Sequence, residues 1–406
     1  MNRRRILMLT TQLGYGGAET SFIRLANFLA QSAEVTVALF TADYGTGAYA
    51  KGHEPLQAKI VLLDSEKPMG RLRRWWRRIR ALRALKAQHE ATISFLSGPN
   101  LVNVLAGFSA RSVVSLRGSR HFDPVSPRLQ RWIFRHLIDP LVFRLAARIV
   151  PVSPGLMVEI RTAAGAKALK KTAAISPFID SATLAQRCAE PPPEIYAALK
   201  GQLVIVAVGR LSIEKGFHHL IRVFAEVARV QPGAKLLLVG DGPMLPDLQQ
   251  LCIDLQLPMN EYAPGVSAVL FAGYQKNALP LMALARVYAM TSATEGFPNV
   301  VLEAMGAGVP VIAADTPWGA RAILCDDQTP PDHPYPTTCI TPTEYGTLMP
   351  RIDARQYQSA WAEALHAALN HRDEARIIRA RMRVGQYDMA VVGAQWNRLL
   401  EGMEAA

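Results

Sequence analysis

A chain of 406 residues, half of them hydrophobic, is too long for one ordinary core and should divide into two domains that each bury their own apolar interior. Its four cysteines, Cys188, Cys252, Cys325 and Cys339, lie far apart without CxxC or Cys/His metal spacing, which argues against a disulfide framework and a structural zinc and favours a reducing compartment. The net charge of +12 is lopsided: residues 1–190 hold 28 Lys+Arg against 12 Asp+Glu, so a negatively charged partner (anionic lipid, a phosphorylated acceptor or nucleic acid) is expected at the N-terminal half alone.

The chain opens with a basic flank and an apolar run of only Ile6 to Leu9, too short for a signal peptide, and Ile6 to Thr10 reads as a strand. No segment approaches the ~20 apolar residues of a membrane span. The turn GYGGAET comes next, where Gly14, Gly16 and Gly17 allow close backbone approach and a helix beginning near Ala18 offers free N–H groups. After it stand the amphipathic helix AETSFIRLANFLAQ and the strand EVTVALF. Then comes GRLRRWWRRIRALRALK, Gly70 to Lys86, with seven arginines and no acid. Leu72, Trp75, Trp76, Ile79, Leu82 and Leu85 recur at steps of three and four, which predicts a helix with one apolar stripe and a guanidinium face that includes Arg73, Arg74, Arg77 and Arg78. Trp75 and Trp76 are of the kind favoured at a membrane interface. Strands ATISFLS and SVVSLRG lead to RLQRWIFRHLIDPLVFRLAARIV, Arg128 to Val150, which repeats the mixture of Arg, Trp, Phe and Leu and ends in the strand ARIVPVS. Two readings stand for these helices. Either they pack their apolar stripes on their own domain and leave arginines in water, or they meet an anionic membrane surface. Nucleic acid is not expected, for there is no helix-turn-helix, zinc-finger or aromatic RNA-binding signature.

The second half repeats the alternation. QLVIVAVG, AKLLLVGDG, AVLFAGY, RVYAMTS and VPVIAAD are short apolar runs separated by helical patterns such as HLIRVFAEVARV. Near-continuous apolar strands between helices indicate parallel sheets covered on both faces, so the fold class is α/β with two doubly wound, Rossmann-like domains. Pro191 to Pro193 cannot join a sheet interior and make the expected linker. Residues 1–185 are expected to form one domain, residues 186–385 the other, and the helix around 386–406 to pack back on the first. Ligands of such sheets bind beyond the carboxyl ends of the strands, here in a cleft between the domains.

The strand-end loops therefore carry the candidates. GRLSIEKGF sets Arg210 and Lys215 on one loop, GDGP holds Gly240 and Gly242, AGYQKN presents Tyr274, and TSATEGFPN leads through Pro298, at the expected first helical position, into a helix over Val300 to Met305. Glu295 lies just before that helix, and Glu303 roughly 7 to 8 Å along it. The first turn's unsatisfied N–H groups and the positive dipole end make an anion site between the two acids. Carboxylates beside an anion site suit vicinal hydroxyls, from which an ionised carboxylate can accept two hydrogen bonds. A diphosphate flanked by two diol-bearing sugars has that layout, and such a molecule is a nucleotide sugar.

With GGAE at Gly16 to Glu19, GRLSIEKG at Gly209 to Gly216, the GDGP segment ending at Pro243, and EGFPNVVLE from Glu295 to Glu303, the sequence resembles the retaining glycosyltransferases of the GT-B fold, family four. The resemblance implies that Arg210 and Lys215 grip the donor diphosphate, Glu295 holds the hydroxyls of the transferred hexose, and Glu303 takes the ribose. Backbone amides of Gly296, Phe297, Asn299 and Val300 would complete the phosphate site. No cofactor beyond the donor, expected to be a UDP-sugar, and no metal is implied; the expected partners are a glycan or lipid-linked acceptor and the inner face of the cytoplasmic membrane. Two departures stand out. The family's GPREIL pattern is GARAIL here, with Ala322 in place of its Glu, and a family His near the acceptor is replaced by Arg117, with His121 four residues later in a polar loop where solvation is the alternative to substrate contact. A nonhydrolysing sugar-nucleotide epimerase or a non-enzymatic membrane-binding module are the rival readings.

Overall fold

The computed structural model describes residues 3–14, 16–41, 55–64, 70–123, 126–316, 318–325 and 337–403. It divides into two units, one of Met1–His121, Ser126–Phe178 and Met389–Ala406, the other of Phe122–Val125 and Ile179–Asp388.

The first unit is built on β1 (Arg5–Thr10), α1 (Gly17–Ala30), β2 (Glu34–Leu39), β3 (Lys59–Leu62), α2 (Arg71–Lys86), β4 (Ala91–Phe95), α3 (Ser97–Leu105), β5 (Ser112–Leu116), α4 (Arg128–Ile133), α5 (Asp139–Leu145) and β6 (Arg148–Pro151). Its sheet runs β3-β2-β1-β4-β5-β6, all parallel, with Ile6 opposite Val35 on one side and Ala91 on the other. The two-residue period of β1 divides the core: Ile6 and Met8 join Phe22, Leu25 and Trp396, while Leu7 and Leu9 join Leu82 and Val102. One face is thus covered by α1 and the C-terminal helix Met389–Glu401, which crosses α1 so closely that a Cβ on Gly393 would strike the Phe28 ring. The other is covered by α2 and α3, with α3 also packed on α5.

The second unit begins with α6 (Ser181–Cys188), capped by the Asp180 carboxylate, which accepts from the N–H groups of Ala182 and Thr183. Then come β7 (Val204–Val208), α7 (Phe217–Val230), β8 (Lys235–Val239), β9 (Ala268–Gly273), β10 (Val287–Met290), α8 (Asn299–Gly306), β11 (Val311–Ala314), α9 (Ala320–Leu324), β12 (Thr341–Pro342) and β13 (Thr347–Met349). The sheet order is β12-β13-β11-β10-β7-β8-β9, parallel except for β12 against β13. Every apolar run read as a strand is one. The strands without a sequence signal, β3 and the β12–β13 pair, lie at or next to sheet edges and are four residues or shorter; β3 and β12 bury no side chain, while β13 buries Leu348 and Met349.

The triple proline is not where the chain changes unit. Pro191–Pro193 joins α6 to a 3-10 turn, Glu194–Leu199, whose Tyr196 and Leu199 are buried in the second unit. Apart from the short excursion of Phe122–Val125, the passages fall instead at Phe178/Ile179 and Asp388/Met389. They are held side by side: Ile179 N–H donates to Tyr387 O at 2.9 Å and Ser181 N–H to Asp388 Oδ2 at 3.1 Å. A proline run breaks a sheet, but α6 and a buried 3-10 turn tolerate it.

Lys86, the last residue of α2, is fully buried and donates to Asn103 O, Asn103 Oδ1 and Ser112 Oγ at 2.9, 2.8 and 2.7 Å. Burial, reinforced by the Arg111 charge, lowers its pKa from 10.5 to about 7. Below that value the folded state carries the cost of a buried charge; between it and 10.5 the unfolded chain holds a proton that the folded chain has shed, so this group adds stability as pH rises. Thermal unfolding should therefore gain up to roughly 1.4 kcal/mol per pH unit from Lys86 on going from about pH 7 toward pH 9. The increment should vanish in Lys86→Met; equal pH slopes in the two proteins would show that Lys86 keeps an ordinary titration.

Candidate functional site

The strand order of the second unit reverses direction at β7, whose neighbours are β8 and β10, so the crevice for a ligand opens between the loops after β7 and β10. Those loops are GRLSIEKG and TSATEGFPN. Beyond Val208 the chain turns through a 3-10 segment, Ile213–Lys215, and enters α7 at Gly216, whose φ of +69° and close approach to Thr291 O exclude a side chain. Thr291 Oγ1 donates to Lys215 O at 2.8 Å and Ala293 N–H to Glu214 O at 2.8 Å, so the two loops are laced together. The result is a cation facing a carboxylate: Lys215 Nζ lies 2.5 Å from Glu295 Oε1, which also accepts from Ser292 Oγ at 2.7 Å. Arg210, on the same loop as Lys215, is exposed. The GDGP turn leans on this loop, with Gly209 N–H donating to Val239 O and Leu211 N–H to Asp241 O; Gly240 has φ +137°, and a Cβ there would collide with Gly209 O. Gly242 packs on Leu211, and Tyr274, after β9, is exposed.

The α8 helix starts one residue later than a proline at the first helical position would require. Pro298 is the N-cap, at φ −79° and ψ 94°, and Asn299 opens the helix without any side-chain cap. Its initial N–H groups point to the same crevice end of the sheet as Lys215. Glu303, in the second turn, is half-buried. Tyr288, a fully buried residue of β10, has its hydroxyl pKa raised well above the usual value, by burial first and by the charges of Glu295 and Glu303 in addition. Glu295 and Glu303 thus both lie within electrostatic reach of one buried hydroxyl. Phe297 turns inward, its ring 5.3 Å from that of Tyr387, whose hydroxyl donates to Ala322 O of α9 at 2.8 Å. With alanine at 322, that helix is met by the buried Asp315, paired with Arg321 at 2.5 Å and accepting from Thr337 Oγ1 at 2.5 Å. Neither Tyr387 nor Asp315 carries a sequence signal, and the partners of Tyr387 are distant in the chain.

In the first unit, Gly16 is the N-cap of α1, extended at φ −123°, with Gly17 its first residue and Glu19 folded back against Gly16. Arg117, just beyond β5, lies 4.6 Å over the Phe95 ring, and burial lowers its pKa to about 9 against the raising effect of Glu19. Its Nε has no hydrogen-bond partner among the described residues. His121 is not a solvated loop residue. It is buried, with Nε2 3.0 Å from Asp139 Oδ2 and Nδ1 3.6 Å from Glu159 Oε2, so it belongs to the packing of α5. The stripe on α2 also divides. Trp75, Ile79, Leu82 and Leu85 face the core; Arg78 donates twice to Asp64, at 2.7 and 2.6 Å, and lies 4.1 Å over Phe40; and Arg77 donates to Leu63 O. Leu72 and Trp76 point outward, with Arg73 and Arg74 exposed beside them.

Residues 202–365, which include both loops and α8, match the family Glycosyl transferases group 1. That stretch is a group 1 glycosyltransferase domain. An uncharacterized glycosyltransferase of Methanocaldococcus jannaschii is 34% identical over 174 residues, 42% of this chain and 41% of that protein. The Campylobacter jejuni N-acetylgalactosamine-N,N'-diacetylbacillosaminyl-diphospho-undecaprenol 4-alpha-N-acetylgalactosaminyltransferase is 27% identical over 237 residues, 58% of this chain and 60% of that enzyme. The chain therefore spans between about two fifths and three fifths of these relatives. Over nearly its whole length it shares the fold of Anabaena HepE, solved with UDP and glucose (TM-score 0.72, 20% identity, 98% of this chain and 100% of that one), and of Thermosynechococcus elongatus sucrose-phosphate synthase (TM-score 0.74, 18%, 99% and 100%). The glycosyltransferase domain and the first unit are thus the two Rossmann-like halves of a GT-B fold.

Proposed function

We propose that the protein is a retaining, metal-independent hexosyltransferase that moves a sugar from a nucleoside diphosphate, with UDP the favoured base, to a lipid-linked or cell-surface polysaccharide precursor at the cytoplasmic face of the membrane. The observation that carries this is the meeting, at the switch point of the second unit, of Lys215 and Glu295 in front of the uncapped start of α8, with Arg210 on the Lys215 loop and Glu303 in the second turn of the helix. A donor diphosphate competes with Glu295 for the Lys215 ammonium. When the phosphate takes it, Glu295 Oε1 is released to accept from a sugar hydroxyl, and Glu303 accepts from the ribose. Arg210, Lys215 and the amides of Gly296, Phe297, Asn299 and Val300 neutralise the charge that grows on the departing diphosphate, which accounts for leaving-group stabilisation without a divalent ion. The acceptor hydroxyl attacks the anomeric carbon on the face the phosphate leaves, and its proton passes to the leaving phosphate oxygen. Configuration is retained.

The acceptor assignment draws on relatives whose names carry lipids: the Campylobacter enzyme's diphospho-undecaprenol acceptor, and a Mycolicibacterium smegmatis GDP-mannose-dependent mannosyltransferase acting on a phosphatidylinositol monomannoside, 33% identical over 153 residues. It agrees with the basic first unit, where the half-buried Arg117 would meet an acceptor phosphate. Among the described residues no helix is long and apolar enough to cross a membrane, so any membrane contact they make is made from the surface. A panel of nucleotide sugars tests the reading. One donor should be slowly hydrolysed by the protein alone and transferred when lipid extract is added. Epimerisation of the sugar without transfer, or no consumption of any donor, would overturn it.

A further inference from the structure

The arginine- and tryptophan-bearing stretch after β5 forms a second surface helix with an unusual property. Residues 128–133 (α4) continue through a π-helical segment, Phe134–Ile138, into α5, and none of residues 128–138 is buried. Leu129, Trp132 and Leu137 are 69, 53 and 56% exposed. Its inner end is anchored, for Ile138 packs on the core that holds Val142 and Phe143 and Arg120 lies 5.3 Å over the Phe134 ring, whereas Leu129, Trp132 and Leu137 are left outside that packing, although most helices gain their stability by burying such an apolar face. Its polar residues are Arg128, Arg131, Arg135, His136 and Gln130; the first acid, Asp139, is buried against His121.

The second observation is its placement. Successive parallel crossovers from β3 to β4 and from β4 to β5 run in one direction along the sheet, so right-handedness puts α2 and α3 on one face, and α3 packs on both α2 and α5. Both α2 and α4 begin at the carboxyl ends of their strands. Leu72 and Trp76, 79 and 72% exposed, therefore stand at the same end and on the same side of the first unit as Leu129 and Trp132. Each arm sets a Trp and a Leu among arginines without an exposed acid. Water leaves such apolar side chains uncovered, and a protein partner selected by charge alone has no use for paired tryptophans. The interface of an anionic bilayer takes both, with rings at the headgroup level and guanidinium groups on phosphate.

We propose that Arg128–Leu141 is a bilayer-docking element that acts with Leu72 and Trp76 to seat the first unit on an anionic lipid surface by two separate arms. The proposal deepens the reading of a membrane-borne acceptor, and its test does not depend on transfer. The full chain is incubated, without donor, with vesicles of phosphatidylcholine alone or containing phosphatidylglycerol, and co-sedimentation is measured. Wild type should bind the anionic vesicles, release at high salt and ignore the neutral ones. Leu129→Ser with Trp132→Ser, and separately Leu72→Ser with Trp76→Ser, should each weaken partitioning about tenfold or more, and the four together should abolish it, with slow donor hydrolysis unchanged as proof of folding. Brominated lipid should quench wild-type tryptophan fluorescence more than that of Trp132→Phe. Indifference of wild type to anionic vesicles, or wild-type partitioning by the Leu129/Trp132 variant, overturns the proposal. So does a concentration-dependent dimer of wild type that the same variant dissolves, since the face would then be covered by a second copy. Vesicle binding that survives alongside equal transfer to soluble acceptors would overturn only the acceptor reading.

Discussion

Replacing Lys215 by Ala is expected to lower turnover at saturating donor by at least about 10²-fold, the usual cost of deleting one preorganised stabiliser of developing charge. The side chain is placed by backbone: the 3-10 turn Ile213–Lys215, the left-handed Gly216 and the Thr291 Oγ1 bond to Lys215 O leave its ammonium little choice of position. Because Lys215 Nζ also holds Glu295 at 2.5 Å, its loss frees a largely buried carboxylate and blurs the cause. Glu295→Gln separates the two effects. If Lys215 acts on the leaving diphosphate, Lys215→Ala slows turnover more with a poor leaving group than with a good one, whereas Glu295→Gln slows both alike. Arg210→Ala should also cost about 10²-fold, although this residue is exposed and would reach the donor from the rim. Normal turnover in both cation variants would mean that the diphosphate is stabilised elsewhere.

Glu303→Gln should weaken donor binding by roughly 1.5 to 3 kcal/mol, the range for a hydrogen bond to a charged group. An amide can still accept one bond from the ribose, but it brings an N–H₂ group toward a second hydroxyl and no longer offers an ionised acceptor. The side chain lies on a short helix held from below by Val301, Leu302 and Met305, all buried, so the substitution should not disturb the fold. Calorimetry with UDP measures it directly, and an affinity within about twofold of wild type would remove Glu303 from the ribose site.

Much of this site is legible in the sequence because its parts are local. The strands β7, β8 and β10 are buried on both faces and so appear as unbroken apolar runs, and the segment after each run must be a loop at one edge of the sheet. Glu295 and Glu303 are separated by a tight turn and the first turn of a helix, a distance that spacing alone supplies. The order of strands was not legible in the same way. That β7 sits between β8 and β10, and so brings Lys215 to Glu295 across 80 residues, depends on pairing between segments whose sequences look alike.

Burial of polar groups was legible least. Lys86 looks like one more cation of an arginine-rich helix, yet it is fully enclosed because Asn103 and Ser112 supply three acceptors from other elements. His121 looks like a loop residue, and its two carboxylates come from positions 139 and 159. Arg78 and Trp75 belong to the interior side of their helix while Arg73 and Trp76 face out, a choice made by the packing of Phe40 and Asp64 and not by the period of the stripe. The sequence by itself determined the α/β class, the loops and the carboxylate pair, because periodicity and spacing are properties of contiguous residues. Tertiary structure alone decided which charges are neutralised inside and which are left for a partner, because a buried ion is tolerated only where groups remote in the chain converge to satisfy it.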